Sequence, residues 1–283
     1  MKKIATIIYP FEQVEEIVGY SLNLAQTLEL QPVFVSLTDA EETAADRELR
    51  NISERFDQSV VQEDRKKILR RILLGCGFEV QFVDRIVDSF VTGNIQKVAS
   101  AINSMTEVDF VFLTRPETQQ YQFPASNFLS LISKPLAIFP LAVDFHQIKT
   151  ILYVASFEEK DISFLKYLAQ LATQINASIT VCHLSRHPGD EAELKLSGYQ
   201  ALLKSQIDFL NIQILQEKSD LSDCALNQFC GKYYADMLVI PGDDFGFFLE
   251  KFSIATPEQF VAQNQLPFAV FGGYPEKLNG AGI

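Results

Sequence analysis

The sequence predicts an α/β protein made of two tandem copies of one parallel-sheet unit. Three observations carry that reading. Runs of Val, Ile, Leu and Phe with little polar alternation, such as Val33 to Leu37 and Ile179 to Leu184, suit strands covered on both faces. Between them lie stretches with helical spacing, so strands and helices alternate and right-handed crossovers are the economical connection. The same series of segments then occurs twice, and 283 residues accommodate two domains of about 150 residues each.

The elements follow in order. Ile4-Ala5-Thr6-Ile7-Ile8-Tyr9 and Ile148-Lys149-Thr150-Ile151-Leu152-Tyr153 are the first strands, identical at four of six positions and displaced by 144 residues. The first helix places Val14, Ile17, Val18, Ser21, Leu22, Ala25 and Leu28 on one stripe, and its counterpart carries Leu165, Leu168, Ala169, Ala172 and Ile175. Second strands run over Val33 to Leu37 and Ile179 to Leu184. Third strands are expected at Glu79 to Ile86 and Phe209 to Leu215, and helices at Ile95 to Ile102 and Asp220 to Phe229. Fourth strands are expected at Val108 to Leu113 and Met237 to Ile240. A last helix and strand close each unit, with Lys134-Pro135-Leu136-Ala137-Ile138-Phe139 mirrored by Leu266-Pro267-Phe268-Ala269-Val270-Phe271.

The repeat sets the domain boundary near Gln147, giving residues 1–146 and 147–283. The first part carries 14 basic and 20 acidic residues, the second 10 and 16, so each nets −6. The copies differ most between their second and third strands. There the first holds a charged helical insertion, Asp39 to Leu74, with one stripe at Leu49, Ile52 and Phe56 and another at Ile68, Leu69, Ile72 and Leu73. A helix pair capping its own sheet is the expected role, and a docking arm the alternative.

Composition excludes several function classes. The net charge is −12, and the basic run Arg65-Lys66-Lys67 with Arg70-Arg71 is neighboured by Glu54, Asp57, Glu63 and Asp64, so no phosphate-tracking nucleic-acid surface is expected. The apolar start ends at Pro10, too early for a signal peptide, and no stretch is long enough to span a membrane. Cytoplasmic location is the expectation. Cys76, Cys182, Cys224 and Cys230 form no CxxC pair and read as reduced thiols. Of the three histidines, His183 ends a strand and reads as structural, His187 lies in a turn and His146 in the linker. Strand alternation turns Cys182 away from His183, which disfavours a nucleophile pair. No HExxH, nucleophile elbow, Walker loop or GxGxxG is present, so no catalytic residue and no metal site are assigned.

The order of these segments resembles the universal stress protein family in its tandem form. The resemblance rests on Lys2-Lys3-Ile4-Ala5-Thr6-Ile7-Ile8, the Leu-Ala-rich first helix, Val181-Cys182-His183-Leu184, Ala235-Asp236-Met237-Leu238-Val239-Ile240 and Leu266-Pro267-Phe268-Ala269-Val270-Phe271, and it covers nearly the whole length. It implies two Rossmann-like (adenine nucleotide alpha hydrolase-like) domains, each a five-stranded parallel sheet of order 3-2-1-4-5 flanked by helices. It also implies pairing of the two domains through their last strands, here Leu136 to Phe139 with Phe268 to Phe271, as an intrachain pseudo-dimer that could pair again as a homodimer.

Many members of that family bind ATP at the carboxyl ends of the first and fourth strands. Their signature after the fourth strand is Gly, two residues, Gly, nine residues, Gly, then Ser or Thr, in which glycines let backbone N–H groups approach phosphates. The first copy has no glycine between Gly93 and Gly189, and its fourth strand runs into Thr114-Arg115-Pro116-Glu117, where Arg115 reads as a surface ion-pair partner. The second copy reads Pro241-Gly242-Asp243-Asp244-Phe245-Gly246-Phe247-Phe248, one residue too long between its glycines, with Thr256 where the third glycine belongs. This stretch is expected to be a tight turn, with Phe245, Phe247, Phe248 and Phe252 packing the pocket shut or facing another apolar surface. Asp243 and Asp244 would repel a triphosphate and supply too few oxygens for Mg²⁺. The family's Asp after the first strand is absent from Tyr9-Pro10-Phe11-Glu12 and from Tyr153-Val154-Ala155-Ser156-Phe157-Glu158.

The expected function is therefore a non-catalytic stress-response regulatory or binding protein with no cofactor, whose partner is a protein or a small molecule. One alternative is ATP or AMP with Mg²⁺ held by the second copy alone, through Gly242, Asp243, Gly246, Ala155 and Ser156. The other is a protein-interaction scaffold using Asp39 to Leu74 or the phenylalanine-rich stretch after Gly246.

Overall fold

The computed structural model describes residues 2–38, 54–115, 125–141, 143, 145–184, 190–209, 211–217 and 226–272. The chain divides into two compact units, Met1–Gln122 and Phe123–Ile283. Among the described residues no helix is long and apolar enough to cross a membrane.

In the first unit β1 (Lys3–Ile8), β2 (Gln31–Leu37), β3 (Val91–Gly93) and β4 (Val108–Arg115) stand in the order β3-β2-β1-β4, all parallel. β1 is central, and five of its six residues are buried, which is why it reads as a continuous apolar run. α1 (Val14–Thr27) buries Val14, Ile17, Val18, Ser21, Leu24 and Ala25 against the sheet, and Tyr20 stacks on Phe112 with ring centroids 5.3 Å apart. α2 (Glu54–Gly75) is the described part of the insertion. It seats Leu69 and Leu73, both fully buried. Leu49 and Ile52 lie outside the described residues.

Glu79 to Ile86, expected as the third strand, is instead α3 (Val80–Asp88). The buried residues are Val83, Ile86 and Val87, spaced three and one apart on a single helix face, while Val80 is 54% exposed. A strand would have placed Val80, Phe82 and Asp84 on one face and Val83 with Arg85 on the other. The third strand is the three-residue β3 that follows. α4 (Ile95–Ser104) then starts at Asn94, whose side chain accepts a hydrogen bond from the Lys97 backbone N–H, an ordinary N-cap.

The second unit contains α5 (Ala125–Leu131), β5 (Leu136–Pro140), β6 (Thr150–Ala155), α6 (Glu159–Ile175), β7 (Ser178–Leu184), α7 (Asp190–Gln206), β8 (Ile212–Glu217), α8 (Leu226–Lys232), β9 (Met237–Pro241), α9 (Gly242–Lys251), α10 (Pro257–Gln263) and β10 (Phe268–Phe271). Its strand order is β8-β7-β6-β9-β10-β5. The five strands of the second repeat are parallel in the order 3-2-1-4-5. β5 adds to β10 antiparallel, with Phe268 opposite Ile138, Ala269 opposite Ala137 and Val270 opposite Leu136. The helix expected over Asp220 to Phe229 runs over Leu226–Lys232, and residues 218–225 are outside the described set.

The core of this unit is aromatic on one side of β9 and β10. Phe245 and Phe260 meet edge to face at 5.3 Å, Phe260 meets Phe268 at 4.8 Å, and Phe248 packs on Phe252 at 4.9 Å. Each such ring contributes roughly 1.5–3 kcal/mol of burial, which fixes α9 and α10 over the sheet. The stretch after β9 is therefore not a glycine turn. The helix begins directly at Gly242, because Phe245, Phe248 and Leu249 form an apolar face at helical spacing.

Candidate functional site

Ligands of open α/β sheets bind outside the carboxyl ends of the strands, where the strand order reverses. In the second unit that point lies between β6 and β9, whose register pairs Tyr153 with Val239. The sequence-derived residues Ala155, Ser156, Gly242 and Asp243 all follow these two strand ends. Lys160 in α6 joins the two segments, with its ammonium 3.2 Å from Asp243 Oδ2 and 3.2 Å from Glu158 Oε2. Gly246 lies one turn further along α9.

The residue that organises the edge is Asp161, which is fully buried. Its Oδ1 accepts from the Tyr153 hydroxyl at 2.8 Å, and its Oδ2 accepts from Ser156 Oγ at 3.3 Å and from the Glu158 backbone N–H at 3.1 Å. The last of these belongs to a capping box in which Glu158 and Asp161 satisfy each other's backbone at the start of α6. Burial raises the Asp161 carboxyl above its ordinary value, and the bonds from Tyr153, Glu158 and Ser156 oppose the rise. Burial, followed by the Asp161 charge, pushes the Tyr153 phenol far up, so it stays protonated and donates.

Asp244 completes the acidic set. Burial raises its carboxyl, the Lys160 charge and the nearby Ser156 hydroxyl pull the other way, and the Asp161 and Glu158 charges add to the rise. The Ser156 hydroxyl thus acts on both carboxyls, Asp161 and Asp244. Asp243 and Asp244 occupy the first turn of α9, where a phosphate would meet the positive end of the helix. The first turn of the helix thus carries two carboxylates.

Aromatic rings fill the neighbouring space. Phe157 lies between His183 and Tyr199, with centroids 4.3 Å and 4.6 Å away and ring planes within 20° and 27° of parallel. Its backbone is in the left-handed region at φ 60°, a conformation that costs a residue with a Cβ about 1–2 kcal/mol. His183 Nδ1 lies 2.8 Å from the Ala155 carbonyl, so this nitrogen carries the proton and the ring is held in place. Tyr199 is 4% exposed, and its hydroxyl has no hydrogen-bond partner. Neither Tyr199 nor Phe157 stands out in the sequence as a site residue. The Glu158-x-x-Asp161 spacing is a capping-box pattern that could have drawn attention to Asp161.

The corresponding edge of the first unit is closed differently. Arg65 from α2 donates through Nη1 to Ser36 Oγ at 2.7 Å and to the Leu37 carbonyl at 2.5 Å, and its guanidinium lies 4.4 Å from the centre of the Phe11 ring. The insertion therefore reaches the carboxyl ends of β1 and β2. Arg115 ends β4, and its expected partner Glu117 is outside the described residues.

Two other ionisable groups of this unit are held by their surroundings. Burial pushes the Cys182 thiol up to about 12. Glu217 accepts from Lys232 and from the Tyr233 hydroxyl. Among the described residues, no three His, Cys, Asp or Glu side chains converge as a metal site requires.

Solved structures with this architecture include a universal stress protein from Archaeoglobus fulgidus DSM 4304, 12% identical, with 96% of this chain and 96% of that chain aligned at a TM-score of 0.56. A candidate universal stress protein from Pseudomonas aeruginosa UCBPP-PA14 is 13% identical, with 97% and 94% aligned at a TM-score of 0.51. No protein-family model and no curated protein matches the chain. The chain has the tandem universal stress protein fold.

Proposed function

We propose that this chain is a non-catalytic, cytoplasmic regulatory or binding protein of the universal stress type, with domains 1–146 and 147–283, that does not hold ATP in the manner of that family. The observation that carries this reading is the start of α9 directly after β9. Asp243 and Asp244 occupy the turn where backbone N–H groups would have to receive phosphates, and Lys160 is already committed to Asp243 and Glu158. A triphosphate there would meet carboxylates in a partly buried setting, where like charges repel strongly. The antiparallel pairing of β5 with β10 supports the intrachain pseudo-dimer.

The engaged state of the reactive groups supports a role without catalysis. Asp161 is saturated by three donors, the Cys182 thiol is held protonated at neutral pH, and His183 is fixed by the Ala155 carbonyl and stacked on Phe157. A general base or nucleophile must be within reach of substrate and free to change protonation.

The test is a thermal melt of the full chain with ATP, and separately AMP, at millimolar concentration with Mg²⁺. A ligand at a hundred times its dissociation constant stabilises by about 2.7 kcal/mol, which raises the melting temperature by several degrees. The expected outcome is no shift. A rise of several degrees that Gly246→Val abolishes would overturn the reading in favour of nucleotide binding through Gly242, Asp243, Gly246, Ala155 and Ser156.

A further inference from the structure

The outer strand of the second unit's sheet is β8, and among the described residues no strand pairs with the side of it that faces away from β7. The ladder with β7 shows which backbone groups point that way. Ile179 N–H donates to the Asn211 carbonyl at 2.8 Å, so Ile179 bridges residues 211 and 213 and stands opposite Ile212. The same step repeats with Val181 opposite Ile214 and His183 opposite Gln216. Gln213, Leu215 and Glu217 therefore turn their N–H groups to β7, whereas Ile212, Ile214 and Gln216 turn both N–H and C=O outward.

β8 lacks the devices that usually keep sheet edges apart. Ile212-Gln213-Ile214-Leu215-Gln216-Glu217 contains no Pro, Gly or Lys, and its register with β7 runs without a bulge. Its one acidic side chain, Glu217, is buried and accepts from Lys232 of α8 and from the Tyr233 hydroxyl. Ile214 and Leu215 point to opposite faces of the sheet, and both are only half-buried. The outer strand of the first unit is managed otherwise: β3 is three residues long and buries Thr92 and Gly93.

We propose that β8 is the surface through which two copies of this chain pair, antiparallel and about a two-fold axis that passes beside Ile214. The outward groups select this register. With Ile214 opposite itself, Ile212 of each copy stands opposite Gln216 of the other. Each such pair exchanges two N–H···O=C bonds, so no outward group of the strand is left over. A register centred on Gln213 or Leu215 uses only two of the three outward residues within the strand. The side chains agree: Ile214 meets Ile214 on one face as a β-branched pair, and Gln213 meets Leu215 on the other. Glu217 comes opposite Asn211, an exposed amide that can donate to a carboxylate, so like charges do not oppose each other. The net charge of −12 opposes approach from a distance, but at physiological salt it is screened beyond about 8 Å. A neutral strand is then the place where two copies meet with least repulsion. A foreign strand would reach the same backbone groups, but a second copy fits their symmetry about Ile214 without remainder. This pairing is separate from the nucleotide reading above, and neither result decides the other.

The experiment follows the full chain by size-exclusion chromatography with light scattering from about 1 μM to about 1 mM. The expected result is a dimer whose share grows with concentration. Ile214→Pro removes an outward donor and spares every bond to β7, the kind of edge position where Pro is tolerated. It should weaken association by about tenfold or more while the circular dichroism spectrum is kept. A second measurement stands apart from that variant's folding and uses single cysteines in a Cys76→Ser background, since the Cys76 thiol is exposed. Ile214→Cys should link two copies on mild oxidation, because directly opposed Cα atoms lie about 5.5 Å apart, within disulfide reach. Gln213→Cys faces residue 215 of the other copy and should stay unlinked. A wild type that is monomeric throughout the range overturns the pairing. So does a dimer undiminished in folded Ile214→Pro, or cross-linking as complete through Gln213→Cys as through Ile214→Cys.

Discussion

At the scale of single residues, the second carboxyl edge sets a fully buried carboxyl, Asp161, near a half-buried one, Asp244. Asp161 recovers much of its desolvation cost through three donors, whereas Asp244 has the Lys160 charge and the shared Ser156 hydroxyl. Both carboxyls are raised by burial, so the folded chain holds their protons more tightly than the unfolded chain does. Stability from this source is full below the ordinary aspartate value of 3.8 and is lost as pH rises through the raised value. Asp244→Asn fixes the side chain in its uncharged form. It should match the wild type in acid, exceed it at neutral pH by no more than about 1 kcal/mol after solvent screening, and lose part of the downward slope between. The first-turn position of α9 works against this by about 0.3–1 kcal/mol in favour of the carboxylate, so an Asn variant less stable than wild type at neutral pH would show that the helix end outweighs burial. Glu258 has the opposite sign. Burial opposes its ionisation, but bonds from Ser126 N–H at 2.7 Å and Ser126 Oγ at 2.9 Å overcome it and hold the carboxyl low. Its contribution is present above the ordinary glutamate value and is lost as pH falls through the lowered one. Urea denaturation across pH, with Glu258→Gln flattening the acid limb, checks both signs.

At the scale of elements, two helices carry glycines that their packing does not require. A Cβ added at Gly19 in α1 or at Gly198 in α7 meets nothing within 4 Å outside its own helix, and neither residue has a positive φ. Gly19→Ala and Gly198→Ala should each raise stability by about 0.5–1 kcal/mol through the smaller backbone entropy of alanine, seen as a higher melting temperature for each and a nearly additive gain for the pair. A loss at Gly19 would mean that α1 needs close approach there. Which elements were legible in the sequence follows from how unambiguous their periods are. α1 and α6 repeat their apolar stripe over several turns, and β1, β2, β6 and β7 are runs too apolar to be anything but buried. α3 resembles a strand in the sequence because Val80, Phe82 and Ile86 fit a period of two as well as Val83, Ile86 and Val87 fit a helix face, and nine residues are too few to separate the two. The start of α9 resembles a turn in the sequence because Gly242 and Gly246 are strong local signals, and the phenylalanine face that overrides them depends on Phe260 and Phe268, which only the tertiary fold brings near. The candidate site was legible in its strand ends and its acidic turn. The stack of Phe157 with His183 and Tyr199 was not, since it joins residues from three separate elements.

At the scale of the whole molecule, the sequence repeat restarts near residue 147 while the second compact unit begins at Phe123, and the two boundaries make different demands on the strand order. The segment between them includes α5 and β5. β5 covers the edge of β10 by antiparallel pairing, and Ser126 at the start of α5 donates twice to Glu258 of α10. A piece comprising residues 147–283 would keep the parallel strands in the order 3-2-1-4-5 but leave β10 as a bare edge of four buried residues, Phe268 to Phe271. An exposed, flat, apolar edge strand is a template for pairing with another chain. The piece 123–283 keeps β10 paired with β5. We therefore expect 147–283 to dimerise or aggregate in proportion to concentration, read by size-exclusion chromatography with light scattering. Ala269→Lys, at the position opposite Ala137 in the register, should cost stability in the longer piece, because Ala269 is fully buried and its side chain stands off the sheet into the packed layer over it. If 147–283 remained monomeric at high concentration with a native melting transition, β5 would be dispensable to the edge, and the repeat alone would be the folding unit.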